Sequence, residues 1–299
     1  MTEPTPVTIE ELLARYGGVL LDAYGVLVDA RGPLPGAVEL VAHLIARDVP
    51  YAIVTNDASR SQTTYAARFA GYGMAIPAER IVTSGSLLPG FLRAHGLEGA
   101  RTAVLGTDDS RAYITAGGAV PLPLTAGMEI DALAVCDDDG FPFLQGIELA
   151  LSAVVRALDA GRAPALVLPN PDLVYPKGDG ELGFTAGAIA LLIEAALDRR
   201  FPALKLTFAR LGKPEPHLFA HAAGLLGIPP RRLVMIGDQL ETDVAGARAA
   251  GIDAALLAGV SRWEHARAAG LEANTAALDA DRPRRPFVAP AYLLESIAP

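Results

Sequence analysis

The sequence predicts an α/β fold built on a Rossmann-like parallel sheet, and three observations carry that reading. Short β-rich runs alternate with stretches of helical apolar spacing along the chain, as parallel βαβ units do. These runs are apolar nearly throughout, the pattern of strands covered by helices on both faces. The 299 residues, 51% hydrophobic and 20% charged with no low-complexity tract, are enough for about two folded domains.

In chain order, Val19-Leu20-Leu21 marks a strand at 18–22, and Gly36 opens a helix over 36–47. Ala52-Ile53-Val54 marks a strand at 51–55, followed by helical spacing over 59–72. Further strands are predicted at 102–105, 132–135 and 165–168, with helices over 147–160 and 186–197 between and after them. Pro216, suited to a first helical turn, starts a helix over 216–226, and Val234-Met235-Ile236 forms a strand at 233–236 before a helix over 242–250. The 23 prolines and 30 glycines fall mostly between these runs and read as turns.

Composition excludes several functions. A formal net charge of −9 opposes nucleic acid or an anionic membrane as the main partner. Arg282 to Arg285, interrupted by Pro283, reads as a solvated loop. Cys136 is the only cysteine, so no intrachain disulfide and no thiolate metal cluster can form. Met1 to Ile9 lacks the basic and apolar regions of a signal peptide, and apolar runs such as 186–197 are too short to span a bilayer. Cytoplasmic residence is expected. None of His43, His95, His217, His221 and His265 falls in a motif, so each reads as packing or surface, and a Cys-His hydrolase is disfavoured.

Three strands end in reactive residues: Asp22, Thr55-Asn56-Asp57, and Gly237-Asp238. Ligands of open parallel sheets bind beyond the carboxyl ends of strands, so the three are candidates for one crevice. Asp22, followed by Ala23-Tyr24-Gly25, suits a covalent nucleophile, although a carboxylate that caps a turn gives the same local pattern. Asp238 and Asp243 suit magnesium, which takes oxygen ligands; the first turn of a helix also favours an acid at Asp243 without metal. Lys213, stiffened by Pro214 and Pro216, is placed to hold a nucleophile ionised and to neutralise a transferring phosphoryl group, or is a surface lysine.

Together these residues resemble the four motifs of the haloacid dehalogenase superfamily. Asp22 is similar to the nucleophile, Thr55 to the phosphate-binding hydroxyl, Lys213 to the motif-three lysine, and Asp238 with Asp243 to the acidic fourth motif. Pro35-Gly36-Ala37, the run from Thr55 to Ser61, Thr83-Ser84-Gly85, Asn170-Pro171-Asp172, Ala186-Gly187-Ala188 and Gly212 to Pro216 resemble the large-cap branch (class IIA) of para-nitrophenyl and sugar-phosphate phosphatases. The resemblance implies a core at 1–88 and 205–299 with an inserted α/β cap at 89–204 that closes over the site and selects substrate. It implies Asp22, Tyr24 and Lys213 as catalytic residues, and Thr55, Asn56, Asp57, Asn170 and Asp172 as phosphate or substrate ligands. It also implies a Mg2+ site of Asp22, Tyr24, Asp238 and Asp243. In the cap, the loop Asp137-Asp138-Asp139-Gly140 reads as a solvated turn rather than a metal site.

The departure from the family is Tyr24, where its phosphatases carry a second Asp that protonates the leaving group. A phenol with a pKa of about 10 donates a hydrogen bond but makes a poor general base. Asp22-Ala23-Tyr24-Gly25 resembles the opening of true haloacid dehalogenases, which use no metal. The expected function is magnesium-dependent hydrolysis of a small phosphorylated metabolite through an aspartyl-phosphate. The alternatives are a dehalogenase- or phosphonatase-type hydrolase, or a catalytically weak protein that binds a phosphometabolite.

Overall fold

A computed structural model describes residues 4–178, 181–258 and 288–299. Arg282 to Arg285 and His265 lie outside the described residues. By their contacts, the described residues fall into two compact units, Met1–Val54 with Arg68–Ile81 and Pro214–Pro299, and Thr55–Ala67 with Val82–Lys213.

The strands run in the order β1 (Thr5–Val7), β2 (Gly18–Leu21), β3 (Val28–Asp29), β4 (Gly32–Pro33), β5 (Tyr51–Thr55), β6 (Ile81–Thr83), β7 (Arg101–Leu105) and β8 (Val120–Leu122). They continue with β9 (Ala132–Val135), β10 (Ala165–Leu168), β11 (Val174–Gly178), β12 (Glu181–Phe184), β13 (Ala209–Arg210), β14 (Leu233–Gly237), β15 (Asp253–Leu257) and β16 (Tyr292–Leu294). A seven-stranded sheet has the order β1-β16-β15-β14-β2-β5-β6, parallel at every pairing from β1 to β5. A five-stranded parallel sheet has the order β13-β10-β9-β7-β8. The fold is α/β.

The six strands expected from apolar runs all form, within a residue at each end, because a fully buried strand needs no polar face: β2, β5 and β14 are buried at every position. In the five-stranded sheet, alternate residues feed two cores. Leu105, Leu133 and Leu166 pack with the helices Phe143–Asp159 and Ala186–Arg200, while Val104, Ala134 and Val167 pack with Leu88–Ala94 and Asp108–Ala116. Cys136 follows β9, fully buried, and burial pushes its thiol up to about 12.

Among the described residues, no helix is long and apolar enough to cross a membrane. His43 pairs with Glu10, His95 stacks on Phe91, and His217 and His221 lie in the helix Pro216–Leu226.

Candidate active site

From β2 the chain moves outward to β5 and β6, and it later returns to the other side of β2 through β14, β15 and β16. That reversal marks the place where ligands of parallel sheets bind, beyond the carboxyl ends of the two strands on either side of it. Asp22 follows β2, and Asp238 follows β14.

The Asp22 N–H still donates to the Ile236 carbonyl at 3.0 Å, so the ladder holds up to the residue that carries the carboxylate. Its Oδ1 accepts the Ala23 N–H at 2.7 Å. The chain then turns tightly: Leu27 and Val28 N–H both donate to the Ala23 carbonyl, at 3.0 and 2.9 Å, and Gly25 adopts φ +96°. A β-carbon at Gly25 would run into the Asp238 carboxylate, so glycine serves both the dihedral and the close approach. Tyr24, half-buried, lies inside this turn and bridges to Val28.

Asp243 arrives by a single π-turn, Leu240–Val244, in which Asp243 and Val244 N–H both reach the Gln239 carbonyl. Such turns are rare and recur at functional sites. Asp243 is fully buried, and its Oδ2 accepts the Asp238 and Gln239 N–H groups, each at 3.1 Å. One oxygen from each of Asp22, Asp238 and Asp243 lies within 4.8 Å of the other two. Three carboxylates this close repel one another, and the all-oxygen set fits a hard divalent cation that offsets the repulsion.

The other unit contains a second cluster. Thr55 ends β5, buried, and its hydroxyl accepts the Asp57 N–H at 3.3 Å. The Asp57 carboxylate is taken up by its own loop: it accepts Ser59 N–H and Oγ at 2.6 and 2.8 Å, Arg60 N–H at 3.2 Å, and Arg60 Nη1 at 2.6 Å. Asn56 is 4% exposed, and its amide bonds Lys213 and Asp172. Lys213 is itself buried. Asn170 Oδ1 accepts the Asp172 N–H at 3.0 Å, and its Nδ2 donates to Thr185 Oγ1 at 3.2 Å.

Some residues here had no role in the sequence reading. Ser84, fully buried, donates to the Asn56 carbonyl at 2.6 Å and so fixes the loop from behind. Arg60 is the countercharge of Asp57. Asp137 is only partly solvated: burial pushes it up to about 7, its hydrogen bond with Asp138 and the charge of Asp57 add to the rise, and a hydrogen bond with Ser59 opposes it. Ser59, Arg60 and Ser84 lie in runs that the family motifs mark, but nothing local assigns them partners.

Two family models match: residues 19–119 fit one described as haloacid dehalogenase-like hydrolase, and residues 210–280 fit one described as HAD-hydrolase-like. Human chronophin is 32% identical over 275 residues, with 87% of each chain covered. A solved structure described as a possible sugar phosphatase of the HAD superfamily, from Cytophaga hutchinsonii, superposes with a TM-score of 0.81 at 29% identity, covering 99% of both chains. A glycerol phosphate phosphatase from Mycobacterium tuberculosis, solved with magnesium, gives a TM-score of 0.73 at 25% identity, covering 96% of this chain and 77% of that one.

Proposed function

The chain belongs to the haloacid dehalogenase-like hydrolases, in their large-cap branch, and from that premise we propose that it is a magnesium-dependent phosphatase of a small phosphorylated metabolite. The observation that carries the reading is the trio Asp22, Asp238 and Asp243 at the point where the strand order reverses. The magnesium bound by the glycerol phosphate phosphatase supports it.

In this reading the Asp22 carboxylate attacks phosphorus, the P–O bond to the leaving group breaks, and water then cleaves the aspartyl-phosphate. Asp22, Asp238, Asp243 and Tyr24 would hold Mg2+. A protonated phenol is a poor ligand for it, which leaves the Tyr24 backbone carbonyl as the oxygen on offer. When bound, the cation offsets charge on the phosphoryl oxygens. By the family motifs that they match, Lys213 takes the role of the lysine that holds the nucleophile ionised, and Thr55 that of the hydroxyl that donates to the phosphoryl group. Asn56 and Asp57, whose side chains bond the protein, serve the phosphate through their backbone; Asn170 and Asp172 serve the rest of the substrate.

Tyr24 favours a second reading, hydrolysis at carbon or of a carbon–phosphorus bond. Against it stand Asp238 and Asp243, which a metal-free dehalogenase does not need. The deciding experiment measures phosphate release with and without magnesium over a broad panel of phosphometabolites, beside halide release from short haloacids. Magnesium-dependent phosphate release is expected; halide release alone would overturn the proposal, and binding without turnover or a covalent species on Asp22 would point to a sensor. The cytoplasmic location belongs to the same proposal, as does the division into a core at 1–88 and 205–299 and a cap at 89–204. The five-stranded sheet supports that division by drawing all its strands from residues 101–210, although β13 lies past residue 204.

A further inference from the structure

We infer that Asn56 is a positioning residue, whose side-chain amide holds the backbone of Lys213 in place and ties it to Asp172. The inference rests on the role proposed above for Lys213. An asparagine side chain offers two N–H donors and one acceptor oxygen. Asn56 Oδ1 accepts the Lys213 N–H at 2.6 Å, and Nδ2 donates to the Lys213 carbonyl at 3.0 Å and to Asp172 Oδ1 at 2.9 Å. Both donors are consumed, so the amide has none to give a phosphate. Pairing with both backbone groups of one residue also fixes which end of the amide is oxygen, because a peptide N–H only donates and a carbonyl only accepts.

The surroundings are shaped to this bond. Leu211 and Gly212 N–H donate to the Leu168 and Pro169 carbonyls at 3.1 and 2.9 Å, which carries the β10–β13 pairing up to Lys213. A β-carbon at Gly212 would meet Asn56 Oδ1 and the Pro169 carbonyl, each at 2.5 Å. Glycine there lets the amide reach the next peptide. Lysine carries its charge on a flexible four-carbon stem, so an exact placement of its ammonium depends on where the stem is rooted.

Two measurements test this. The first is a double-mutant cycle on phosphate release. Asn56→Ala should lower kcat about 10²-fold in the parent, the cost of a displaced catalytic group, and have little further effect in Lys213→Ala. Gly212→Ala, which pushes on the amide from the other side, should repeat the pattern. Effects that multiply with Lys213→Ala would mean that Asn56 acts on substrate itself and would overturn the inference. The second measurement needs no activity. The chain has three lysines, and Lys177 and Lys205 are exposed, so they serve as internal controls for acetylation read by mass spectrometry. Lys213 should be protected in the parent and gain reactivity in Asn56→Ala with the controls unchanged; equal Lys213 reactivity in the two folded proteins would overturn it. A parent that releases no phosphate but protects Lys213 in this manner would sink the phosphatase reading and leave the positioning intact.

Discussion

At the ends of β2 and β14, three like charges are gathered by the course of the backbone, whereas around Asn56 a neutral amide gathers groups far apart in the chain. In the first region two strand ends and a π-turn each present one carboxylate, and the close approach of Asp238 depends on Gly25 having no side chain. In the second, side-chain bonds span 116 and 157 residues. Backbone delivery suits a site whose charges are matched by a cation from outside. Side-chain delivery suits a cation that the chain itself supplies and must root.

The largest expected effect lies in the first region. Asp22→Asn is nearly isosteric and keeps an acceptor for the Ala23 N–H, yet removes the nucleophile, so turnover should fall by more than about 10⁴-fold with an unchanged thermal transition. Retention of most activity would end the proposed mechanism. Asp238→Ala should cost more than about 10²-fold and raise the magnesium concentration needed for half activity. Gly25→Ala should do the same in milder form, since its methyl meets Asp238 and its φ of +96° is strained. A parent-like magnesium titration in both variants would show that this corner does not hold the metal.

The same contrast explains what the sequence made legible. Apolar runs ending in Asp22, Thr55 and Asp238 were readable because fully buried parallel strands are continuous apolar segments and their ends are where ligands bind. β15 was missed because Asp253-Ala254-Ala255-Leu256-Leu257 carries no β-branched residue, and β11 because Pro176 interrupts it. The helix Asp108–Ala116 was missed because its apolar face is short, although Thr107 followed by Asp108 and Asp109 is a helix-start signal. At the site, residue types were legible and partners were not. Asn56 and Asp57 read alike as phosphate ligands, but only the fold shows one amide spent on Lys213 and one carboxylate spent on Ser59 and Arg60.

Tyr24 sharpens the comparison next, because it is the one position where the first region lacks a carboxylate that the family's phosphatases carry. Without that acid, expulsion of an alkoxide loses the 10²- to 10⁴-fold help typical of general acid catalysis, roughly 3 to 5 kcal/mol. Aryl and acyl phosphates, whose leaving groups are stable anions, should be hydrolysed faster than alkyl phosphates, with a steep dependence on leaving-group pKa. Tyr24→Asp should raise turnover on alkyl esters by about tenfold or more. Equal rates on alkyl and aryl esters, with chemistry limiting, would mean that another residue supplies the proton.

The smallest effect tests the second region through Asp137, a charge the fold carries at a cost. Its carboxyl is pushed up to about 7, chiefly by burial, with Asp138 and the charge of Asp57 adding to the rise. An unfolded aspartate titrates near about 3.9, so between about pH 4 and 7 the folded chain holds a proton that the unfolded chain has released. This carboxyl's contribution to stability therefore falls as pH rises through that window and levels off above it. Asp137→Asn cannot ionise and keeps an oxygen for the Asp138 N–H, so that contribution should disappear from the variant. Parent and variant should melt together near pH 4.5, and the variant should melt higher at pH 8, by roughly 2–4 °C for each kcal/mol relieved. The measurement is thermal unfolding of both proteins from pH 4.5 to 8 without magnesium. Parallel curves would mean that Asp137 ionises freely and that the second region holds it without penalty.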